Sequence, residues 1–323
     1  MIAVVLVACR SPSVEVLAVD DRGPLATTPA IQGRDGGYST RMGDLSVWAH
    51  GDTILAQEGE HGSWLNNTVS WTADLDASDG IDGFEQDLDG LGVPASFFPP
   101  ADDVIWAGAL VADPVRGGVL VSWIRIPEAG EERTGLSHWA GPGTLPDVPG
   151  DGLFGPEVRV ASTLIADGDQ LYGFGCQSRG FDKPCTLARS AFDDALSPSG
   201  WAFWDGSAWS DTPGDAKPLF DAHDILTVHF SEPAGLWMAV YSEPLGDRVY
   251  ARTSEALTGP WSAPVELFEA EPSDDGTAPY SAVAHAEYTT ATSDGWTEVV
   301  TYHRGTEPWH SELREVHVTL RSR

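Results

Sequence analysis

The sequence predicts an all-β chain, either a sandwich or a β-propeller, and three observations carry that prediction. Short strand-like runs recur over the whole length, separated by Gly, Pro, Asp and Ser, with 35 Gly and 23 Pro among 323 residues. No segment sustains an apolar stripe of helical period. The runs group into units of about 55–65 residues, close to one four-stranded blade, with seams near residues 95, 150, 215 and 270. About five such units favour a five-bladed β-propeller over a sandwich.

Taken in order, Asp35-Gly36-Gly37 reads as a turn, followed by a strand from about Tyr38 to Met42 and a turn at Gly43-Asp44. Leu45–His50 returns, with Leu45, Val47 and Ala49 alternating against Ser46, Trp48 and His50, and Gly51-Asp52 turns the chain into Thr53–Gln57. Further strands are read at Val104–Val111, Val119–Ile126, Leu171–Gly175, Leu226–Phe230, Leu236–Tyr241, Val249–Thr253, Val299–His303 and Glu315–Leu320. Asp193–Leu196 contributes a helical turn at most. An apolar fraction of 41%, with 13 Trp, 11 Phe and 7 Tyr, can fill one core, so residues 31–321 are read as a single domain. Residues 10–30, polar and Pro-containing, read as a tether.

Eighteen Lys and Arg against 49 Asp and Glu give a formal net charge of -31. There is no basic stripe for phosphates, so nucleic acid is excluded as a partner, and neutral or cationic ligands are favoured. The first residues, Met1 to Cys9, form a short apolar run ending Leu6-Val7-Ala8-Cys9, which resembles a bacterial lipobox. Residues 1–9 are therefore read as a lipoprotein signal peptide whose true start lies upstream, with Cys9 lipidated and Arg10 directing the protein to the outer membrane. A buried first strand is the plainer reading of the same run. With Cys9 assigned to lipid, Cys176 and Cys185 remain as a disulfide pair suited to an exported protein, with two buried free thiols as the alternative. No metal site is expected from them, since neither CxxC nor clustered His accompanies them.

Two carboxylates, Asp35 and Asp52, are separated by one outbound and one inbound strand, which brings both to one edge of a sheet. Adjacent strands lie about 4.8 Å apart, so the carboxyl groups fall within roughly 5–10 Å. That window covers both the retaining and the inverting arrangements of paired glycosidase carboxylates. Both are also ordinary turn residues. No GxSxG, Cys–His or HExxH pattern offers a competing nucleophile or metal scheme. Asp74, Asp76, Ser78, Gly80, Asp82 and Glu85 occupy the ligand positions of a calcium loop, but Asp79 stands where Gly is required and no helices flank it. It reads as an acidic surface turn, with calcium the minor reading.

The blocks Gly33–Ser39, Trp48–Thr53, Asn66–Thr72 and Asp79–Ile81 resemble, in order, the N-terminal motifs of domain-of-unknown-function family 4185, and Tyr280–Glu287 with Val300–Tyr302 resemble its closing motif. The resemblance spans about residues 28–320; its first two blocks are the specific ones, and the middle of the chain adds little. It implies a five-bladed β-propeller and, in some members, endo-D-arabinanase activity with Asp35 and Asp52 as the catalytic dyad. Asp35 is then nucleophile or base and Asp52 the general acid, with the roles exchangeable. Arg34, His50, Asn67, Trp71, Asp102, Trp106, His285 and Glu287 are candidates to line sugar subsites, with a structural role the equal reading for each: inter-blade core for Trp71 and Trp106, a satisfied core histidine for His285. His50 stands where an apolar or aromatic residue is usual, and an imidazolium there would favour the Asp52 carboxylate. Ala286 replaces a frequent Pro. The expected protein is a lipid-anchored monomer without cofactor that cleaves a neutral furanoside polymer such as arabinan. The rival expectation is a non-catalytic surface propeller that binds glycan or protein.

Overall fold

The structure is a computed structural model, which describes residues 12–99, 102–147, 150–160, 162–177 and 183–323. Five antiparallel sheets follow one another along the chain. Blade 1 contains Ile31–Met42, Leu45–Gly59, Gly62–Leu65 and Thr68–Thr72, and blade 2 contains Val104–Ala112, Val119–Ile126 and Arg133–Trp139. Blade 3 is built on Thr163–Asp167, Gln170–Cys176, Pro184–Ala191 and Trp201–Trp204, and blade 4 on Leu226–Ser231, Leu236–Ser242, Arg248–Ser254 and Val265–Glu269. Blade 5 has Tyr280–Ala284 innermost, then Trp296–Glu307 and His310–Ser322. The first strand of each blade touches the first strand of the next, and that of blade 5 touches that of blade 1. The ring is thus closed, a five-bladed β-propeller as the sequence predicts. The predicted seams near 95, 150 and 270 fall in the connections between blades, whereas that near 215 lies within blade 3, whose sheet also takes in Trp209–Ser210 and Phe220–Asp221.

Packing between blades explains the aromatic content. Val47, Val69 and Trp71 of blade 1 meet Ile105, Val121 and Trp123 of blade 2, with Phe97 and Phe98 of the connection between them. Burying such side chains contributes roughly 1.5–3 kcal/mol each. Polar clips fix the spacing. Asn67 donates its side-chain amide to Ile105 O at 2.7 Å and accepts Phe98 N–H at 2.7 Å, joining blades 1 and 2. His303 Nε2 lies 3.0 Å from Gly36 O and joins blade 5 to blade 1.

The segment read as a tether is largely a strand. Val14–Pro24 pairs antiparallel with His310–Ser322, from Val14 opposite Ser322 to Pro24 opposite Arg314, and supplies the outermost strand of blade 5. Its polar composition disguised it, because only Val14 and Val16 pack on the core, while the charged remainder is exposed. Its charges find partners across the strand: Arg321 donates to Glu15, and Arg314 to Asp21. Cys9 and the lipobox lie outside the described residues. Cys176 and Cys185 face each other across the blade 3 hairpin and form a disulfide, with S–S 2.08 Å.

Because Val14 is almost fully buried, deleting residues 1–24 is expected to cost at least about 2 kcal/mol from that side chain alone, besides the strand pairing. Chemical denaturation of the shortened chain should show a lower midpoint; an unchanged midpoint would mean that the ring closes without this strand.

Candidate functional site

The first hairpin carries the site. Its turn is Gly43-Asp44, and its register is regular from Met42 opposite Leu45 to Tyr38 opposite Ala49. Three irregularities then follow, two of them beside the carboxylates. Gly36 pairs with His50, which leaves Gly37 as an extra residue on one strand. Arg34 pairs with Thr53, which sets Gly51 and Asp52 together against Asp35. Bulges of this kind bend strands and re-aim side chains. Gly36 and Gly37 have φ of 82° and 95°, a region that only glycine enters without strain. The turns predicted at Asp35-Gly36-Gly37 and Gly51-Asp52 are therefore bulges inside two continuous strands. They place the two carboxylates as cross-strand neighbours, and Gly51 lies so close under Asp35 that a Cβ there would sit 3.6 Å from the Asp35 Cβ.

Asp52 is half-buried and accepts the indole N–H of Trp106 at 3.0 Å. Its pKa is raised above the ordinary carboxylate value. Burial is the main cause, and the charge of Asp35 adds to it, against the opposing effect of the Trp106 and Trp64 indole donors. Asp35, also half-buried, accepts the Tyr280 hydroxyl at 2.5 Å. Burial and the nearby Asp35 charge push the ionisation of Tyr280 far up, so the phenol stays a donor. Tyr280 stacks on His303, ring centroids 5.4 Å apart. It is followed by Ser281 at φ 56°, where the register of the innermost blade 5 strand slips. Because His303 Nε2 faces a carbonyl, that nitrogen carries the proton, and burial keeps the ring neutral.

Two recesses share the carboxylates as a common wall. One, of about 560 Å³, runs between blades 1 and 5 past Trp64, Tyr280, Trp309 and His310. The other, of about 260 Å³, opens toward blades 2 to 4 past Trp106, Ile124, Arg159 and Asp224. Asp224 is held by Lys183 at 2.7 Å. Among the described residues no group of three or more His, Cys, Asp or Glu is placed to hold a metal ion.

Of the residues singled out from sequence, Arg34, Asp35, Asp52 and Trp106 meet here. Arg34 lines the larger recess but is itself buried, its pKa pushed down to about 9 by burial, and donates to Gln86 at 2.5 Å. His50 does not act as anticipated. It is buried, bonds Ser70 Oγ at 2.9 Å, and burial with the neighbouring Arg34 charge keeps it neutral, so no imidazolium reaches Asp52. Asn67 is the inter-blade clip described above, and Trp71 is core with its N–H on Glu85. His285 is fully buried against Trp48, between Ser39 Oγ at 2.7 Å and Thr301 Oγ1 at 2.8 Å, and is pushed down to about 3 by burial. Glu287 accepts from Ser39 and Ser46 in a separate recess further along the blade 1 strand. Asp102 is exposed and lines neither recess beside the carboxylates. In the acidic loop, Asp74 and Asp76 accept backbone N–H groups of their own turn. Sequence reasoning missed Trp64, Trp309 and Asp224. It quoted Tyr280 only as the start of a motif, and nothing in the sequence marks its approach to Asp35.

Residues 138–297 match the family described as Domain of unknown function (DUF4185). The matched segment includes Tyr280–Glu287 but neither Asp35 nor Asp52, whereas the sequence reading had placed the most specific blocks at the N-terminus. No curated protein matches the chain. Solved structures show the fold. A proposed hydrolase from Bacteroides ovatus superposes with TM-score 0.61 at 14% identity, covering 91% of this chain and 86% of the other. The GH43_1 enzyme from Xanthomonas citri complexed with xylotriose gives 0.57 at 14%, covering 90% and 88%. The catalytic domain of a GH62 alpha-L-arabinofuranosidase from Coprinopsis cinerea gives 0.51 at 12%, covering 96% and 97%.

A carboxyl group whose folded pKa is raised binds protons more tightly in the folded state, so it stabilises the fold below its unfolded pKa and loses that contribution as pH rises through the folded value. Asp52→Asn is therefore expected to raise the melting temperature relative to the parent at pH 7, with the gap closing toward pH 3 as Asp52 protonates. Calorimetry across that range checks the sign; a variant less stable than the parent at pH 7 would contradict it.

Proposed function

We propose that the protein, whose residues 138–297 match the model of domain-of-unknown-function family 4185 in a chain folded as a five-bladed propeller, is an exported glycoside hydrolase acting within chains of a neutral furanoside polysaccharide, D-arabinan first. The observation that carries the proposal is the pair of carboxylates set on adjacent bulged strands between two open recesses. A chain that enters by one recess and leaves by the other places an internal bond at the carboxylates, as endo cleavage requires. The xylotriose complex of a propeller with the same fold lends support to an oligosaccharide ligand. The net charge of -31 favours an uncharged one.

Asp52, whose pKa is raised by burial, is assigned the general acid, giving its proton to the departing glycosidic oxygen as the bond to the anomeric carbon breaks. Asp35, steadied by the Tyr280 hydroxyl, acts on the opposite side, either on the anomeric carbon itself or on a water whose proton it takes. Trp106 holds the acid in place through its indole N–H. We extend the proposal to location: Cys9 is lipidated and tethers the propeller at the outer membrane, which suits the Cys176–Cys185 disulfide.

Incubated with arabinogalactan, the parent protein is expected to release oligosaccharides, and Asp35→Asn and Asp52→Asn to lose about 10²–10⁴-fold of the rate. Release by the parent from xylan alone would overturn the arabinan assignment, and full activity in either variant would overturn the dyad. The rate should fall as pH rises through the Asp52 pKa, because the acid must be protonated; a rate that climbs there would reverse the assigned roles. Labelling in cells with an alkyne fatty acid should mark the parent and not Cys9→Ser, and equal labelling of both would remove the anchor.

A further inference from the structure

The larger recess holds two tryptophans that are costly to leave in water. Trp64 is 47% exposed and Trp309 73% exposed, and their rings stand 5.5 Å apart at 61°. They come from opposite ends of the chain, Trp64 from blade 1 and Trp309 from the hairpin tip between Trp296–Glu307 and His310–Ser322 of blade 5. Trp309 adopts φ 70°, a region that a bulky residue enters only at a cost of about 1 kcal/mol or more. A large apolar ring in a strained conformation at an exposed tip contributes nothing to the core.

The tip is nevertheless fixed in place against the carboxylate-bearing strand. Ser311 Oγ accepts Arg34 N–H and donates to Arg34 O, both at 3.1 Å. Gly33 makes the approach possible, since a Cβ there would lie 3.0 Å from Ser311 N and 3.1 Å from Trp309 O. Asp275, Thr277 and His310 add hydroxyl-binding groups around the rings, and the recess ends at Asp35 and Asp52. Apolar faces ringed by such groups fit a sugar, whose C–H face stacks while its hydroxyls bond at the edge.

We propose that Trp64 and Trp309 form an aromatic subsite that takes one pentose ring of a neutral glycan chain on the blade 5 side of the bond to be cleaved. This inference rests on the hydrolase reading. Trp64 lies beside Asp52 on the recess wall and bears on its pKa, so Trp309 is the clean probe: it binds sugar without taking part in bond breaking.

Binding is to be measured by calorimetry with arabino-oligosaccharides prepared from arabinogalactan, in an Asp52→Asn background so that the ligand survives. Trp309→Ala should weaken binding about ten-fold, the scale of one aromatic stacking contact, while Trp309→Phe retains most of the affinity. In the otherwise native enzyme, Trp309→Ala should raise KM by a similar factor, leave kcat within about two-fold, and leave the melting temperature unchanged. Equal affinity of Trp309→Ala and its parent overturns the subsite while the hydrolase reading stands. No binding by the Asp52→Asn parent, together with no hydrolysis by the native protein, overturns both.

Discussion

Everything in the proposed site depends on the broken register of the first hairpin. In an unbroken antiparallel pair, side chains alternate strictly between faces, and residue 35 would have a single partner across the strand. The extra residue on each strand lets Asp35 sit over Gly51 beside Asp52. Only glycine at 36 and 37 tolerates the backbone this demands. The same detour exposes Gly36 O to His303 and leaves Asp35 within reach of Tyr280, so blade 5 is fastened to the irregularity itself. Ring closure and site assembly are one event: the strand that ends the circle delivers the donor to Asp35.

Conformational and electrostatic cost concentrates around the same place. Ser281 and Trp309 are two of the three non-glycine residues with positive φ among the described residues, and both flank the larger recess or its lining. Asp52 carries a raised pKa, because burial disfavours its charged form and the Asp35 charge adds to that effect. Away from the cleft, Asn67 has its side-chain amide satisfied between blades and His285 its ring between two hydroxyls.

Much of this was legible in the sequence, and the reasons for what was not are physical. Period-two alternation and spaced turn residues gave the blades and three of their four seams, because each blade has the same need to bury both faces. Asp35 and Asp52 were found together because strand counting survives an error of one residue, even though both turns proved to be bulges. Val14–Pro24 escaped notice because only its first residues, Val14 and Val16, pack on the core, while the charged remainder is exposed. His285, Asn67 and Trp71 were taken for ligand-facing groups since a polar or aromatic residue in a motif looks the same whether it clips two blades or binds sugar. Trp64 and Trp309 stayed invisible because nothing in one dimension brings residue 64 to residue 309; only closure of the ring does that.

The most direct test of the central claim is a crystal structure of the Asp52→Asn protein soaked with an arabino-oligosaccharide long enough to fill both recesses. The account predicts a chain that crosses from the Trp64–Trp309 side to the Trp106 side, with one glycosidic oxygen within hydrogen-bond distance of the side chain at position 52 and its anomeric carbon facing Asp35. A chain bound elsewhere on the propeller, or one that ends at the carboxylates without crossing them, would contradict it.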